Sequence, residues 1–188
     1  SPEELEIVET EDDELAMLIY TAGTTGNPKG GMLTHGNCYM DTFPLTDLFL
    51  VPGENTRDYT MLLHLPLSHI FGVQVMFISL IGGCSMIVTP RFRVEESLNL
   101  IKKYQVRYVP FVPAMARRML DYPGFENYID SVRHWDFGGA PLPDEIVRAL
   151  EEKTNGDVMD SYAATEAMMV CQLMRFSPFK GPLRKRGS

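Results

Sequence analysis

Short runs rich in β-branched and aromatic residues alternate with helix-length stretches along this chain. Strands separated in this way pair in parallel, so the pattern predicts an α/β fold with a largely parallel sheet flanked by helices. Strands are expected over 15–21, 61–65, 85–89, 107–112 and 132–137, with two more over 157–160 and 169–175. Helices are expected over 36–50, ended near Pro52 and Gly53, and over 70–81 and 113–120. Val94, Leu98, Ile101 and Tyr104 or Gln105 recur at helical spacing, with Glu95, Glu96, Lys102 and Lys103 outside, which marks an amphipathic helix. Pro143, Asp144 and Glu145 open another, carrying Ile146, Val147 and Leu150 on one face and ending near Gly156. The charge-free run over 70–89 has the length of a membrane span. Gly82 and Gly83 divide it, and a buried helix, a turn and a buried strand are expected instead, without stable membrane insertion.

The composition sets the class of protein. A chain of 188 residues, 45% hydrophobic and 22% charged, has the balance of one soluble globular domain with a sizeable core. A formal net charge of −8 argues against nucleic acid or an anionic membrane as the main partner. Lys180, Arg184, Lys185 and Arg186 read as a solvated cluster. Cys38, Cys84 and Cys171 are far apart and form no Cys-x-x-Cys pair, the pattern of reduced thiols in a cytoplasmic protein rather than of a zinc site or a disulfide framework. The acidic stretch over 1–14 does not fit a signal peptide. There is no internal repeat and no low-complexity segment.

Residues 20–35 carry the strongest chemical signal. Leu18, Ile19 and Tyr20 run into Thr21, Ala22, Gly23, Thr24, Thr25, Gly26, Asn27, Pro28, Lys29 and Gly30. Glycines let successive N–H groups converge on one anion, threonine hydroxyls add donors and Lys29 adds positive charge, so a nucleoside triphosphate is the expected ligand. A P-loop needs Gly, four residues, then Gly-Lys-Ser/Thr, and here Asn27 and Pro28 intervene between Gly26 and Lys29, with Gly30 following. Gly23, Gly26 and Gly30 do not fit a dinucleotide Gly-x-Gly-x-x-Gly either. The same residues also suit a hairpin loop without function, and spacing alone leaves that reading open.

The run resembles the phosphate-binding signature of adenylate-forming enzymes, the superfamily of acyl-CoA synthetases, luciferases and peptide-synthetase adenylation domains. Their pattern is Tyr-Thr-Ser-Gly-Thr-Thr-Gly-x-Pro-Lys-Gly followed by Ser/Thr-His, and Thr34 and His35 match that ending. Ala22 stands where serine or glycine is usual, and Gly31 where valine or alanine is usual. Leu65, Pro66, Leu67, Ser68, His69, Ile70, Phe71 and Gly72 resemble a second signature, whose histidine faces the acyl pocket. His35, His64 and His134 have no comparable support. Phe137, Gly138, Gly139, Ala140, Pro141 and Leu142 resemble the family's Gly-Gly-Ala-Pro-Leu floor beside adenine and the bound acid. Asp160, Ser161, Tyr162, Ala163, Ala164, Thr165 and Glu166 resemble the Tyr-Gly-x-Thr-Glu signature. There the resemblance implies a tyrosine stacked near adenine, a threonine on the α-phosphate and a glutamate on Mg2+, with Thr21 as a second metal contact. Ala163 replaces the usual glycine and requires backbone angles that alanine tolerates.

The implied reaction is ATP-dependent activation of a carboxylic acid through an acyl-adenylate, followed by transfer to coenzyme A. Gly23, Thr24, Thr25, Gly26 and Lys29 would hold the β- and γ-phosphates, Thr165 the α-phosphate, and Glu166 the Mg2+, while His69 would line the acid's entry. The apolar run after His69, with Phe111 and Met115, suggests a hydrophobic pocket. A long- or medium-chain fatty acid is the expected substrate, with an aryl-acid or amino-acid adenylation domain, or a non-catalytic nucleotide- or acyl-binding module, as alternatives. The resemblance also implies that residues 1–188 are a partial AMP-binding domain, its central α/β subdomain. The N-terminal subdomain, the ribose-binding aspartate, the hinge and the small C-terminal domain with its catalytic lysine would lie outside them. The isolated 188-residue chain is therefore expected to bind ATP weakly and to give no pyrophosphate exchange with a panel of carboxylic acids; robust turnover by the purified chain would refute this.

Overall fold

The computed structural model describes residues 8–23, 26–40, 42 and 56–176. Its centre is a six-stranded sheet. Strands β3 (Thr60–Leu63), β4 (Ser85–Val88), β5 (Tyr108–Phe111), β6 (His134–Phe137), β7 (Asp157–Ala164) and β8 (Met168–Phe176) lie in the order β4-β3-β5-β6-β7-β8. All neighbours are parallel except β7 and β8, which form an antiparallel pair at the edge. A separate antiparallel hairpin consists of β1 (Leu15–Thr21) and β2 (Lys29–Thr34). The helices that connect the strands of this sheet are α1 (Ile70–Gly82) between β3 and β4, α2 (Val94–Tyr104) between β4 and β5, α3 (Pro113–Leu120) between β5 and β6, and α4 (Asp144–Lys153) between β6 and β7. The α/β fold with its mainly parallel sheet agrees with the alternation read from the sequence.

Side-chain alternation along the strands builds two cores. Leu62, Val109, Phe111, Trp135, Phe137 and Val158 point to one face, where Leu98 and Ile101 of α2, Ala116 and Met119 of α3, and Ile146, Val147 and Leu150 of α4 cover them. Met61, Leu63, Tyr108 and Met159 point to the other, against Phe71, Val75 and Ile78 of α1. This division follows from the strand order. The chain moves outward from β3 to β4, then crosses back past β3 to β5 and continues the opposite way, so α1 falls on the face opposite the other three helices.

Each helix has its local reason. The β-region backbone of His69 caps α1, and its Nδ1 accepts the Phe71 N–H at 3.2 Å. α1 is apolar nearly all round, as a helix covered by the sheet on one side and the hairpin on the other should be. Glu95 and Glu96 in the first turn of α2, with Lys102 and Lys103 in its last, complement the helix dipole. Pro113 occupies the first position of α3, where its missing N–H costs nothing. A third cluster, Ile19, Leu33, Cys38, Ile70, Val73 and Met168, seats the hairpin on α1 and on the turn between β7 and β8.

Several boundaries shift from those expected: 61–65 becomes Thr60–Leu63, one residue earlier at its start and two shorter at its end, and 107–112 becomes Tyr108–Phe111. β7 runs longer than 157–160 because β8 pairs along its whole extension. Strand β2 is missed by the sequence reading, since Lys29, Gly30 and Gly31 have weak strand propensity and only pairing with β1 makes them extended. Residues 35–40 and 42 are helical; the rest of the helix expected over 36–50 lies outside the described residues, as do Lys180, Arg184, Lys185 and Arg186. Phe111, expected near a pocket, is fully buried between Trp135 and Phe137, at ring-centroid distances of 5.7 and 6.0 Å. No disulfide links Cys38, Cys84 and Cys171. Among the described residues no helix is long and apolar enough to cross a membrane.

Leu98, fully buried where α2 meets the sheet, is expected on truncation to Ala to lower stability by about 2–5 kcal/mol in urea unfolding. Val88→Ala, at an exposed position on the edge strand, should move the same midpoint by much less.

Candidate active site

The sequence-predicted residues gather where the parallel strands end. The chain leaves β3 through 64–69 to His69, leaves β6 through Gly138, Gly139, Ala140 and Pro141, and extends β7 through Ser161, Tyr162 and Ala163 to Thr165 and Glu166. In an open α/β sheet the crevice beyond the carboxyl ends, near a reversal of strand order, is where ligands find room.

Two cavities meet there. The larger, about 450 Å3, is lined by Gly139, Ala140, Pro141, Asp160, Ser161, Tyr162, Ala163, Cys171 and Leu173. The smaller, about 170 Å3, is lined by His69, Ile70, Phe71, Gln74, Gly138, Gly139, Ser161, Ala163 and Thr165. Gly139, Ser161 and Ala163 belong to both, so the two form one continuous recess. Tyr162 is 64% exposed beside the larger, its ring free to meet a flat ligand. The Asp160 carboxylate accepts from Arg175 Nη1 at 3.2 Å, and Arg175 also pairs with Asp144, so its charge is already partnered at the cavity wall.

The hairpin closes this region from outside. Thr21 and Lys29 are directly opposed at its neck, and Gly31 opposes Ile19. Alternation puts Lys29 and Gly31 on one face of β2, and Thr21 and Ile19 on the same face of β1. That face is turned to the β7–β8 turn, because a Cβ on Gly31 would lie 3.2 Å from Thr165 Cγ2. Lys29 is exposed at the neck and lines neither cavity. Within the loop Gly23 has φ 68°, and a Cβ there would lie 2.1 Å from the Asn27 carbonyl oxygen, so only glycine fits the turn. Gly26 N–H donates to the Gly23 carbonyl at 3.4 Å. Ala22 is exposed, and Thr24 and Thr25 lie outside the described residues.

Glu166 is exposed on the β7–β8 turn, next to Thr165, which Gly31 of the hairpin approaches. Among the described residues no three His, Cys, Asp or Glu side chains are grouped to hold a metal. One carboxylate and one hydroxyl, from Glu166 and Thr21, are oxygen donors of the kind Mg2+ takes when phosphates and water supply the rest. Ala163 has no left-handed backbone angle and pairs with Met169 in the sheet, so alanine is tolerated where glycine was expected.

Beneath the recess lies a polar cluster the sequence reading missed. Asp136 is buried in β6; it accepts from the Tyr108 hydroxyl, from Ser161 Oγ at 2.7 Å and from Gln172 Nε2 at 3.3 Å. Gln172 also donates to Ser161 Oγ at 2.9 Å. Burial pushes the Asp136 carboxyl up to about 6, against its ordinary 3.8, while the three hydrogen bonds and nearby His134 pull the other way. Burial, reinforced by Asp136, raises Tyr108 well above its usual range. His64, buried between Phe92 and Phe111, is lowered from 6.5 to about 4 by burial, partly offset by the Pro110 backbone. Asp136 could have been suspected from a lone charge inside the apolar run His-Trp-Asp-Phe. Gln74 likewise stands out as a polar residue inside the apolar stretch of α1.

These two buried groups impose opposite pH dependences. Asp136 gains a proton on folding between about pH 4 and 6, so the stability this contributes is full below that window and lost as pH rises through about 6. It amounts to about 3 kcal/mol. His64 stays neutral in the fold down to about 4, so its contribution is present above 6.5 and lost as pH falls toward 4. Asp136→Asn should leave the His64 slope alone and steepen the loss of stability on acidification, whereas His64→Gln should flatten it. Urea midpoints measured from pH 4 to 7 decide this, and identical profiles for the two variants would rule it out.

Comparison with known proteins gives this geometry its family. Residues 2–188 match the AMP-binding enzyme family. The chain is 31% identical over 188 residues to 4-coumarate-CoA ligase 1 of Narcissus pseudonarcissus, covering 94% of this chain and 34% of that protein. It is 32% identical over 161 residues to a long-chain-fatty-acid–CoA ligase of Bacillus subtilis (strain 168), covering 85% and 28%. The structure of o-succinylbenzoate coenzyme A synthetase from Bacillus subtilis, in complex with ATP and magnesium ion, superposes with a TM-score of 0.75 at 32% identity, covering 94% of this chain and 35% of that one. The chain thus spans about a third of the length of the curated relatives it matches. With the recess, the hairpin and the β7–β8 turn arranged as described, the chain belongs to the AMP-binding enzyme family.

Proposed function

We propose that the protein carrying this sequence joins a carboxylic acid to coenzyme A through an acyl-adenylate made from ATP. The observation that carries this reading is the meeting of three separated segments. His69 and Thr165 line one cavity, and Thr165 packs under the hairpin face that presents Lys29 and Thr21. A carboxylate entering past His69 is thereby directed toward a phosphate held between the hairpin and the β7–β8 turn.

In the first step a carboxylate oxygen attacks the α-phosphorus, the bond from that phosphorus to the β-phosphate oxygen breaks, and pyrophosphate leaves. Little covalent chemistry falls to the protein, whose work is positioning and charge stabilisation. Lys29 and the loop N–H groups from Gly23 to Gly26 stabilise the departing β- and γ-phosphates. The Thr165 hydroxyl donates to an α-phosphate oxygen. Mg2+, when bound by Glu166 and Thr21 together with phosphate oxygens, supplies positive charge against the charge that builds up. The Tyr162 ring stacks on adenine above the floor of Gly139, Ala140 and Pro141. In the second step the thiol sulfur of coenzyme A attacks the acyl carbon, releasing its proton to water, and the carbon–oxygen bond to AMP breaks.

Ile70 and Phe71 give the smaller cavity apolar walls, so the acid is apolar beside its carboxyl group, a property fatty and aryl acids share. In the full polypeptide carrying this sequence, Lys29→Met should lower ATP–pyrophosphate exchange about 100-fold or more. Lys29 is exposed, so the urea midpoint should not change. Exchange at the wild-type rate would remove Lys29 from the mechanism.

A further inference from the structure

Ser161 links the buried Asp136 cluster to the recess. Asp136 is 1% exposed and Tyr108 is fully buried, whereas Ser161 lines both cavities where they join. Ser161 Oγ donates to Asp136 Oδ1 at 2.7 Å and accepts from Gln172 Nε2 at 2.9 Å, so with Asp136 ionised its hydrogen is directed to the carboxylate. Toward the recess Ser161 then offers a lone pair and no donor. An anion seated above would meet that lone pair with a buried negative charge beneath it. Among the described residues the titratable groups facing Asp136 are the Tyr108 phenol from β5 and His134, two residues back on β6. β7 and β8 bring the uncharged Ser161 and Gln172, and α1 over this face carries no charged residue.

Protonation of Asp136 reverses this polarity. A proton from solvent in the recess bonds to Ser161 Oγ while the original Oγ–H bond breaks toward Oδ1, so the carboxylate gains the one proton that the solvent gives up. Asp136 is then a neutral acid that donates to Ser161, Gln172 Nε2 keeps its place on Oγ, and the new Ser161 hydrogen points into the recess. The hydroxyl and the carboxyl stay paired in both states, so the exchange leaves no buried polar group stranded. Burial already holds the carboxyl close to protonation, at about 6. We propose that Asp136 is a proton-coupled positioning residue: an anionic nucleotide in the recess draws a proton through Ser161 onto Asp136, and Ser161 turns to donate to that nucleotide. This rests on the recess seating the nucleotide, as read above.

The test is calorimetric titration of the full polypeptide with the methyl ester of AMP, whose single negative charge does not titrate near neutral pH, and with uncharged adenosine. At about pH 6.5, in PIPES and in imidazole, which differ in ionisation heat, the ester should bind with uptake of about half a proton and adenosine with much less. Asp136→Asn, neutral at every pH, should abolish the uptake. Wild-type affinity for the ester should fall about 5-fold from about pH 5.5 to about 7.5. Ser161→Ala, which cannot donate, should weaken ester binding several-fold at the lower pH and hardly at the higher. Difference infrared spectra of wild type should gain a protonated-carboxyl band on ester binding, a reading that needs no variant to fold. Ester binding without proton uptake, uptake unchanged in Asp136→Asn, no carboxyl band, or an equal Ser161→Ala loss at both pH values overturns the proton coupling alone. Binding of neither compound overturns the nucleotide reading of the recess and this one with it.

Discussion

The reversal of strand order at β3 is the constraint on which the rest of the structure depends. Because β4 lies on one side of β3 and β5 on the other, among the described residues α1 covers one face of the sheet and α2, α3 and α4 cover the opposite face. The lone helix leaves part of its face open, and the hairpin and the β7–β8 turn occupy that space. All three segments with chemical residues are thereby brought to one edge. Had β4 continued the order on the same side as β5, α1 would have joined the other helices and His69 would have faced away from Thr165.

The face under α1 is also where the fold buries a connected polar cluster. On the three-helix side the strands contribute Leu62, Val109, Phe111, Trp135, Phe137 and Val158, and Trp135 Nε1 donates to the Thr154 hydroxyl at 2.9 Å. On the α1 side the same strands contribute Asp136 and Ser161, held together with Tyr108 and Gln172. A buried carboxylate accepting three hydrogen bonds fixes its partners more narrowly than apolar packing does, at a cost in stability. Ser161 is the member that reaches the recess, so the cluster sets the height of the β7 floor from below.

Much of this was legible in the sequence, and the omissions have physical causes. Helical spacing in 94–104, Pro113 at a helix start and the strand–helix alternation are local signals that the fold obeys. The Gly/Thr-rich loop and the segments at His69, Gly139 and Glu166 stood out in the sequence by residue type, and the fold brings His69 and Gly139 to one cavity. Strand β2 was not, since Gly30 and Gly31 become extended only through pairing with β1. Phe111 was misplaced because an aromatic residue at a strand end looks the same whether it faces a pocket or the core; parity along β5 decides, and it points Phe111 to Trp135. Asp136 and Gln74 were passed over because the cost of burying them is visible only once their surroundings are assembled.

The three departures from the family pattern show how such a site tolerates substitution. Ala163 is harmless because β8 holds it in extended backbone, so glycine's freedom is not used there. Ala22 is exposed beside the loop, where backbone donors can make up for a missing hydroxyl. Gly31 is different, since it lies at the contact between the hairpin and the turn. Its bare Cα lets β2 approach Thr165 to a distance at which a methyl group would already press on Thr165 Cγ2 at 3.2 Å, and the neighbour would have to give by a few tenths of an ångström. The separation between Lys29 on the hairpin and Thr165 on the turn is therefore set in part by a residue that makes no chemical contact of its own.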